Sequence, residues 1–173
     1  MSEYKVDPLS RVKIRMIANK IRQVLGIENA LRVDVIALLE KVLPILVENF
    51  TYEYVSDDKL SVMALTIPAE NKIIIRESVY IGAYNGNGRD RFTIAHEIGH
   101  FFLHRDIKVR LARGNETIRA YENPEWQADV FAGEFLMGFN VVQNMSPQQI
   151  AQKCGVTLAA ANCQYKQYQK IKR

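Results

Sequence analysis

The chain has little cysteine and no long apolar segment, and both shortages exclude classes of protein. Only two cysteines, Cys154 and Cys163, occur among 173 residues. This excludes a disulfide-rich scaffold and predicts free thiols in a reducing compartment, with a disulfide or a second metal site as the less favoured alternative. No apolar run approaches the roughly 20 residues that span a bilayer, and no signal-type apolar stretch follows the first residues. We therefore expect a cytoplasmic protein with no membrane partner.

Strong charge and repetition are lacking as well. The net charge is only +4, which permits an acidic partner or a nucleic acid but requires neither. There are no internal repeats and no low-complexity tracts. The length fits one domain with a real hydrophobic core. We expect a single domain over residues 1–173, with its core in 1–145 and a helical tail in 146–173.

Histidine is scarce, yet its three residues are clustered. Residues 91–104 read RFTIAHEIGHFFLH and contain the HExxH pattern. On an α-helix His96 and His100 lie one turn apart on the same face, so both imidazoles can bind one Zn²⁺. Glu97 lies about 100° further round the helix, where a general base can take a proton from water. The pattern predicts one zinc ion, with Mn²⁺ as an alternative.

A third protein ligand is expected from a helix that begins at Asn123-Pro124. Catalytic zinc sites usually have three protein ligands, and Glu125 is the strongest candidate. Two alanines near its face would let this helix approach the HExxH helix closely. Asp129, one turn later, could accept a hydrogen bond from a ligating histidine. The alternative is that Glu125 is only a first-turn acid favoured by the helix dipole.

Four other side chains are candidates for supporting roles. His104 follows His100 by one turn, and we expect it to end the helix or to contact a ligand rather than to bind the metal. Tyr80, Tyr84 and Tyr121 are candidates to donate a hydrogen bond to the oxyanion of a tetrahedral intermediate. The sequence leaves the choice among these three open.

Hydrophobic periodicity predicts an α+β fold that is mostly helical. Helices are expected at 10–25, at 32–43 with Pro44 ending it, from 124 to about 137, from 147, and at 158–170. Hairpin-like strands at 50–57, 60–67 and 72–76 form a small three-stranded sheet before the HExxH helix, whose expected N-cap is Asp90. Lys72–Arg76 is the candidate edge strand for binding a peptide substrate, with an internal strand as the alternative.

Three segments together resemble the ImmA/IrrE family of HExxH metallopeptidases. They are RFTIAHEIGHFFLH at 91–104, ENPEWQADVFAGEFLM at 122–137 and IAQKCGVTLAAANCQYKQY at 150–168. The resemblance implies a zincin-like domain of gluzincin-like arrangement, with His96, His100 and Glu125 as zinc ligands and Glu97 as the general base. Gly138 departs from the family, which usually has proline there, and this leaves the exit from the second helix open.

The expected function is that of a zinc-dependent endopeptidase. The resemblance implies that it cleaves a helix-turn-helix repressor in a mobile-element or stress-response switch. The alternative is a regulatory protein, an antirepressor or a toxin–antitoxin component, that holds a partner without cutting it. The enzyme is favoured because a zinc-stabilised fold needs no carboxylate beside its first histidine. The helix-turn-helix-like tail at 147–173 carries Lys166, Lys170, Lys172 and Arg173 and could contact DNA, although a basic helix is usually a solvated face.

Overall fold

The fold is helical around one small sheet, in a computed structural model that describes residues 4–105, 110–111 and 118–171. The helices are α1 (Arg11–Val24), α2 (Val35–Ala37), a π-helical turn (Leu38–Val42), α3 (Leu43–Leu46), α4 (Glu77–Tyr84), α5 (Gly88–His104), α6 (Pro124–Leu136), α7 (Phe139–Val142), α8 (Pro147–Cys154) and α9 (Leu158–Gln169). The strands are β1 (Tyr4–Lys5), β2 (Thr51–Val55), β3 (Ala64–Ile67), β4 (Lys72–Arg76) and β5 (Arg110–Leu111). The predicted α+β class with a three-stranded sheet is confirmed.

The main sheet has the strand order β2-β4-β3. Strand β4 is parallel to β2 and antiparallel to β3, so only one of the two pairs is a hairpin. The prediction that Lys72–Arg76 is an edge strand is wrong, because this strand has a partner on both sides. Ile73 and Ile75 are completely buried, and a strand with such an apolar face is favoured at the centre of a sheet. Among the described strands, β2 and β3 form the two edges of this sheet.

The N-cap of the HExxH helix is Asn87 and not Asp90, which corrects the predicted start. The side-chain oxygen of Asn87 accepts hydrogen bonds from the backbone N–H groups of Arg89 and Asp90. These are two of the donors that the first helical turn leaves without partners. The helix therefore begins at Gly88, and Asp90 lies inside its first turn.

Pro44 does not end the second helix, contrary to the prediction. The helical backbone continues through Leu46, and the five residues from Leu38 to Val42 form a π-helical turn just before the proline. A proline inside an α-helix clashes with the carbonyl group four residues earlier. The wider π turn relieves this clash, so the chain accommodates the ring without stopping.

The hydrophobic core lies between α1, α5 and α6, with the sheet against α5. Ile94, Ile98 and Phe101 of α5 and Phe131 and Phe135 of α6 are almost completely buried. These two helices pair along their length, which places the HExxH segment beside the first turn of α6. Within the described part of the chain, no helix combines the length and the apolar character that crossing a membrane requires.

A buried arginine caps the C-terminal end of α6. The guanidinium group of Arg22 donates a 2.6 Å hydrogen bond to the carbonyl oxygen of Phe135, one of the acceptors that a helix end leaves free. A Cβ atom at Gly138 would stand 3.3 Å from Nε of Arg22. Glycine at this position therefore leaves room for the arginine. This answers the question, left open by the sequence, of how the chain leaves this helix without the proline that the family usually has.

The C-terminal helix is tied to the core through Tyr168, which is 2% exposed. Its hydroxyl oxygen lies 2.8 Å from Oε2 of Glu134 and 2.6 Å from the carbonyl oxygen of Met137. Arg15 of α1 binds the same Glu134 carboxylate. These contacts join α9, α6 and α1. Lys172 and Arg173, named in the prediction of DNA contact, lie outside the described residues.

Candidate metal centre

Close packing of α5 and α6 brings the HExxH histidines next to Glu125. Gly99 lies against α6, and a Cβ atom there would stand 3.0 Å from Cδ1 of Phe131 and 3.3 Å from Cα of Ala128. Asn123 caps α6 by accepting from the N–H groups of Glu125 and Trp126, which fixes the first turn. Small residues at the contact thus set the distance between the two helices.

Three side chains converge at the surface of this contact. Nε2 of His96 and Nε2 of His100 are 3.0 Å apart. The carboxylate of Glu125 places Oε2 3.3 Å from His96 Nε2 and Oε1 3.4 Å from His100 Nε2. All three ligand atoms lie within 4.8 Å of one another. A tetrahedral zinc ion with bonds of roughly 2.0–2.1 Å separates its ligand atoms by about 3.3 Å, so the three residues fit this ion.

Asp129 orients the first histidine. Its Oδ1 atom lies 2.8 Å from Nδ1 of His96, so Nδ1–H donates to the carboxylate, and in the neutral ring the lone pair of Nε2 points to the site. Burial lowers the pKa of His96, but hydrogen bonds to Asp129 and Glu125 outweigh this and raise the pKa to about 9. Without a metal the site therefore favours a positive charge where a cation would bind.

The same two histidines also shift the pKa of Glu125. The imidazole groups of His100 and His96, whose Nε2 atoms lie 3.4 and 3.3 Å from the carboxylate, hold the pKa of Glu125 well below its usual range, although partial burial opposes this. The carboxylate therefore stays ionised throughout the neutral range. An ionised oxygen beside two imidazole nitrogens is the donor set of His₂Glu zinc sites.

His104 lies behind the ligands rather than among them. Its Nδ1 is 3.0 Å from Nδ1 of His100, and its Nε2 is 3.0 Å from Oε1 of Gln127. Burial lowers the pKa of His104 to about 4, so its ring is neutral at ordinary pH. Gln127 is completely buried and received no role from the sequence, because its contact with His104 depends on how α5 and α6 pack.

Glu97 is buried and stays outside the group of ligand atoms. Only 8% of the residue is exposed. The hydroxyl oxygen of Thr66, on edge strand β3, lies 2.7 Å from Oε2 of Glu97 and 3.0 Å from its backbone carbonyl oxygen. The carboxylate is therefore held from the sheet side. Thr66 is a second contact that the sequence did not reveal.

The three candidate tyrosines are separate from this arrangement. The hydroxyl group of Tyr80 donates to Glu40, and this hydrogen bond raises its pKa far above the ordinary value. Tyr84 is 72% exposed and lines a different cavity, together with Arg32. Tyr121 lies in the turn before α6, where its hydroxyl oxygen accepts a 2.6 Å hydrogen bond from Arg119. The assignment of an oxyanion donor stays a prediction.

A cleft of about 540 Å³ opens over Glu97, His100 and Glu125. None of the three tyrosines is among the described residues that line it, whereas Tyr4 of β1 is. Most of its other lining side chains are apolar: Val6, Val62, Ala64, Leu65, Pro68 and Pro124. The side chains of Glu97, His100 and Glu125 therefore face an open and mostly apolar cleft.

One comparison with known proteins identifies a family. Residues 45–163 match the model of a peptidase family described as the IrrE N-terminal-like domain. The matched span contains the main sheet and the helices that carry His96, Glu97, His100, Glu125 and Asp129. A search of the curated proteins gave no significant match.

Proposed function

Because the chain belongs to the peptidase family of IrrE N-terminal-like domains, we propose that it is a zinc-dependent endopeptidase with a zincin-like fold. The observation that carries the proposal is the convergence of His96, His100 and Glu125, with buried Glu97 next to the first histidine but outside the ligand group. Two imidazole nitrogens and one carboxylate oxygen suit Zn²⁺, with Mn²⁺ as the alternative ion.

The proposed reaction gives each of these side chains a separate role. His96, His100 and Glu125 would hold the ion, and Asp129 would keep the His96 ring in the required tautomer. When bound, zinc supplies a Lewis acid that polarises the scissile carbonyl group and acidifies water. Glu97 takes the proton of the attacking water and delivers it to the leaving amine. Thr66 keeps the Glu97 carboxylate facing the cleft.

The cleft supports an extended peptide as the substrate. Its wall is formed in part by β3, whose only paired neighbour among the described strands is β4. Such an edge can bind a peptide as an added strand, since its free N–H and C=O groups form the hydrogen bonds. This replaces the edge that the sequence suggested at Lys72–Arg76. Apolar Val62 and Leu65 beside the edge favour apolar side chains near the scissile bond.

We propose a helix-turn-helix repressor as the protein substrate. The support is the resemblance to ImmA/IrrE peptidases, which often act on such regulators. The pair α8–α9 is joined by a left-handed Gly155 and an N-cap at Thr157, which supports a helix-turn-helix-like tail. Since Tyr168 binds residues of α6, we treat core and tail as one domain over 1–173, and direct DNA contact stays a subsidiary proposal.

The proposal is tested with purified protein, zinc and the repressor encoded nearest to its gene. Cleavage should require zinc, stop on chelation and return when zinc is restored. Glu97→Gln should retain one zinc ion per chain but lose cleavage, because the amide cannot accept the proton. Persistent cleavage by that variant refutes the role of Glu97. Stable binding of the repressor, with neither wild type nor variant cutting it or a random peptide library, would favour the non-proteolytic binding protein.

A further inference from the structure

A hydrogen-bonded row of three side chains runs from the metal-facing histidine into the protein interior. It consists of His100, His104 and Gln127. The hydrogen bonds from His100 to His104 and from His104 to Gln127 are both 3.0 Å long. We propose that Gln127, acting through His104, sets the tautomer of His100 so that its Nε2 lone pair faces the metal. Gln127 and His104 are then positioning residues. The inference rests on the metal-binding part of the proposed function and not on peptide hydrolysis.

The orientation of the Gln127 amide is decided by two backbone carbonyl groups. Its Nε2 atom lies 2.9 Å from the carbonyl oxygen of Asp7 and 2.8 Å from that of Tyr121. Only an NH₂ group can donate to both acceptors. A flipped amide would place its oxygen against two carbonyl oxygens in a completely buried position, where unpaired polar groups are costly. Oε1 must therefore point the other way, toward His104.

The amide oxygen in turn decides the proton position on His104. Oε1 of Gln127 can only accept, so Nε2 of His104 must carry the hydrogen. A neutral imidazole has one N–H group and one lone pair. The lone pair of His104 is therefore on Nδ1, the atom that faces His100.

The same alternation continues to the metal-facing histidine. Because Nδ1 of His104 accepts, Nδ1 of His100 must donate, and the remaining nitrogen of His100 is unprotonated. That nitrogen is Nε2, which faces His96 and Glu125. In the metal-bound form, His96 would reach the same state by a different route, through the carboxylate of Asp129. The two ligands are thus oriented by an anion in one case and by a neutral relay in the other.

The relay of His104 and Gln127 differs from Asp129 because it carries no charge. Asp129 is exposed and adds a negative charge next to His96, whereas Gln127 and His104 are buried and add none. The relay orients His100 by hydrogen-bond direction alone. Reversing that direction puts a proton on Nε2 of His100, which cannot bind a metal ion in that form.

Nuclear magnetic resonance of the imidazole nitrogens in metal-free wild-type protein tests the relay directly. We expect His104 in the Nε2–H form and His100 in the Nδ1–H form near neutral pH. The second measurement is the zinc dissociation constant, obtained by competition with a chromophoric chelator. Gln127→Leu should raise it about 10- to 100-fold, because His104 loses its acceptor and can turn its N–H group toward His100.

Matched variants separate the relay from a general packing effect. Gln164→Leu makes the same substitution at a buried glutamine whose Nε2 has no partner among the described residues, and it should leave zinc affinity unchanged. His104→Leu should weaken zinc binding. His104→Asn should retain most of the affinity, because its side-chain oxygen can still accept from Nδ1 of His100.

Three results would overturn the relay. They are a His104 ring protonated on Nδ1, equal zinc affinity of wild type and Gln127→Leu, and X-ray absorption spectra that require three histidine ligands. None of them depends on peptidase activity. A protein that passes these tests but cuts no peptide would contradict the proposed function and leave the relay intact.

Discussion

The hydroxyl oxygen of Thr66 lies 2.7 Å from Oε2 of Glu97, so a residue of the edge strand holds the carboxylate proposed as the general base. The strand that would bind the peptide therefore also orients the carboxylate that would act on it. Thr66→Val removes the hydroxyl group at nearly constant volume, and we expect kcat to fall about tenfold, the equivalent of one hydrogen bond of roughly 1–1.5 kcal/mol. Steady-state kinetics with a cleaved peptide measures this.

Thr66→Ser is the control for the hydroxyl group, because serine keeps the donor and loses only a methyl group. It should retain most of kcat. A fall in kcat that is equal for the serine and valine variants would show that the methyl packing of Thr66 matters and not its hydrogen bond. Neither variant should change zinc content, since Thr66 contacts no ligand atom of the metal group.

A second prediction concerns the carboxylate that orients His96. Asp129→Asn removes the negative charge 2.8 Å from Nδ1 of His96 and should weaken zinc binding about 10- to 100-fold. It should also lower the pKa of His96 from about 9, because the hydrogen bond to Asp129 is the strongest influence that raises it. Chelator competition and nuclear magnetic resonance titration of the metal-free protein measure the two effects.

Asp58→Asn supplies the matched control. Asp58 is an exposed acid in the turn after β2, where it accepts from Ser56. Its loss should change neither zinc affinity nor the pKa of His96. Unaltered zinc affinity in Asp129→Asn would mean that the His96 tautomer does not depend on that carboxylate.

The roles of several residues were predictable from the sequence because they depend on local geometry. The spacing of His96 and His100 follows from one helix, and Asn123-Pro124 marks the start of another. The placement of Glu125 required only that these two helices pack closely. That packing was suggested by alanines in α6 and is seen at Gly99.

Other features depend on contacts between distant segments, which one sequence does not reveal. Helix α4 was not predicted because only Val79 and Ala83 are buried on it, while Ile81 and Tyr84 are exposed. The order of the sheet depends on the parallel pairing of β2 with β4, which are neighbours in the sheet although β3 lies between them in the sequence. Gln127 looked like any polar residue of an amphipathic helix, since its three partners come from other segments.

A third prediction is that stability of the metal-free protein falls on both sides of neutrality. Burial lowers the pKa of His104 to about 4. Between its ordinary value of about 6.5 and 4, the unfolded chain binds a proton that the folded chain does not, so stability decreases as the pH falls, by up to roughly 3 kcal/mol. His96, with a pKa of about 9, has the opposite sign, and its contribution is lost as the pH rises from 6.5 to 9.

Urea unfolding in the presence of a chelator, repeated across the pH range, measures the loss of stability on the acidic side (the acidic limb) and on the alkaline side (the alkaline limb). The interval between pH 6.5 and 5 isolates His104, because ordinary carboxylates are still ionised there. His104→Asn should flatten this acidic limb and leave the alkaline limb in place. Equal slopes for wild type and this variant would contradict the assignment of the acidic limb to His104.

The last prediction concerns the helix contact that sets the ligand distances. Gly99→Ala would place Cβ 3.0 Å from Phe131 Cδ1 and 3.3 Å from Ala128 Cα. The backbone of α6 cannot yield as a flexible side chain can, so we expect α5 and α6 to move apart at a cost of about 1–3 kcal/mol. Glu125 would then move away from the histidine pair, and zinc affinity should fall together with the free energy of unfolding.

Gly133→Ala provides the comparison on the opposite side of α6. There a Cβ atom would stand 2.8 Å from Oε1 of Gln164 on α9, a contact that also costs stability but does not lie between α5 and α6. If overpacking acts only through global stability, both alanine variants should lower zinc affinity in proportion to the stability lost. If the α5–α6 distance sets the ligand geometry, as the contact of Gly99 with Ala128 indicates, Gly99→Ala should weaken zinc binding far more than Gly133→Ala at equal loss of stability.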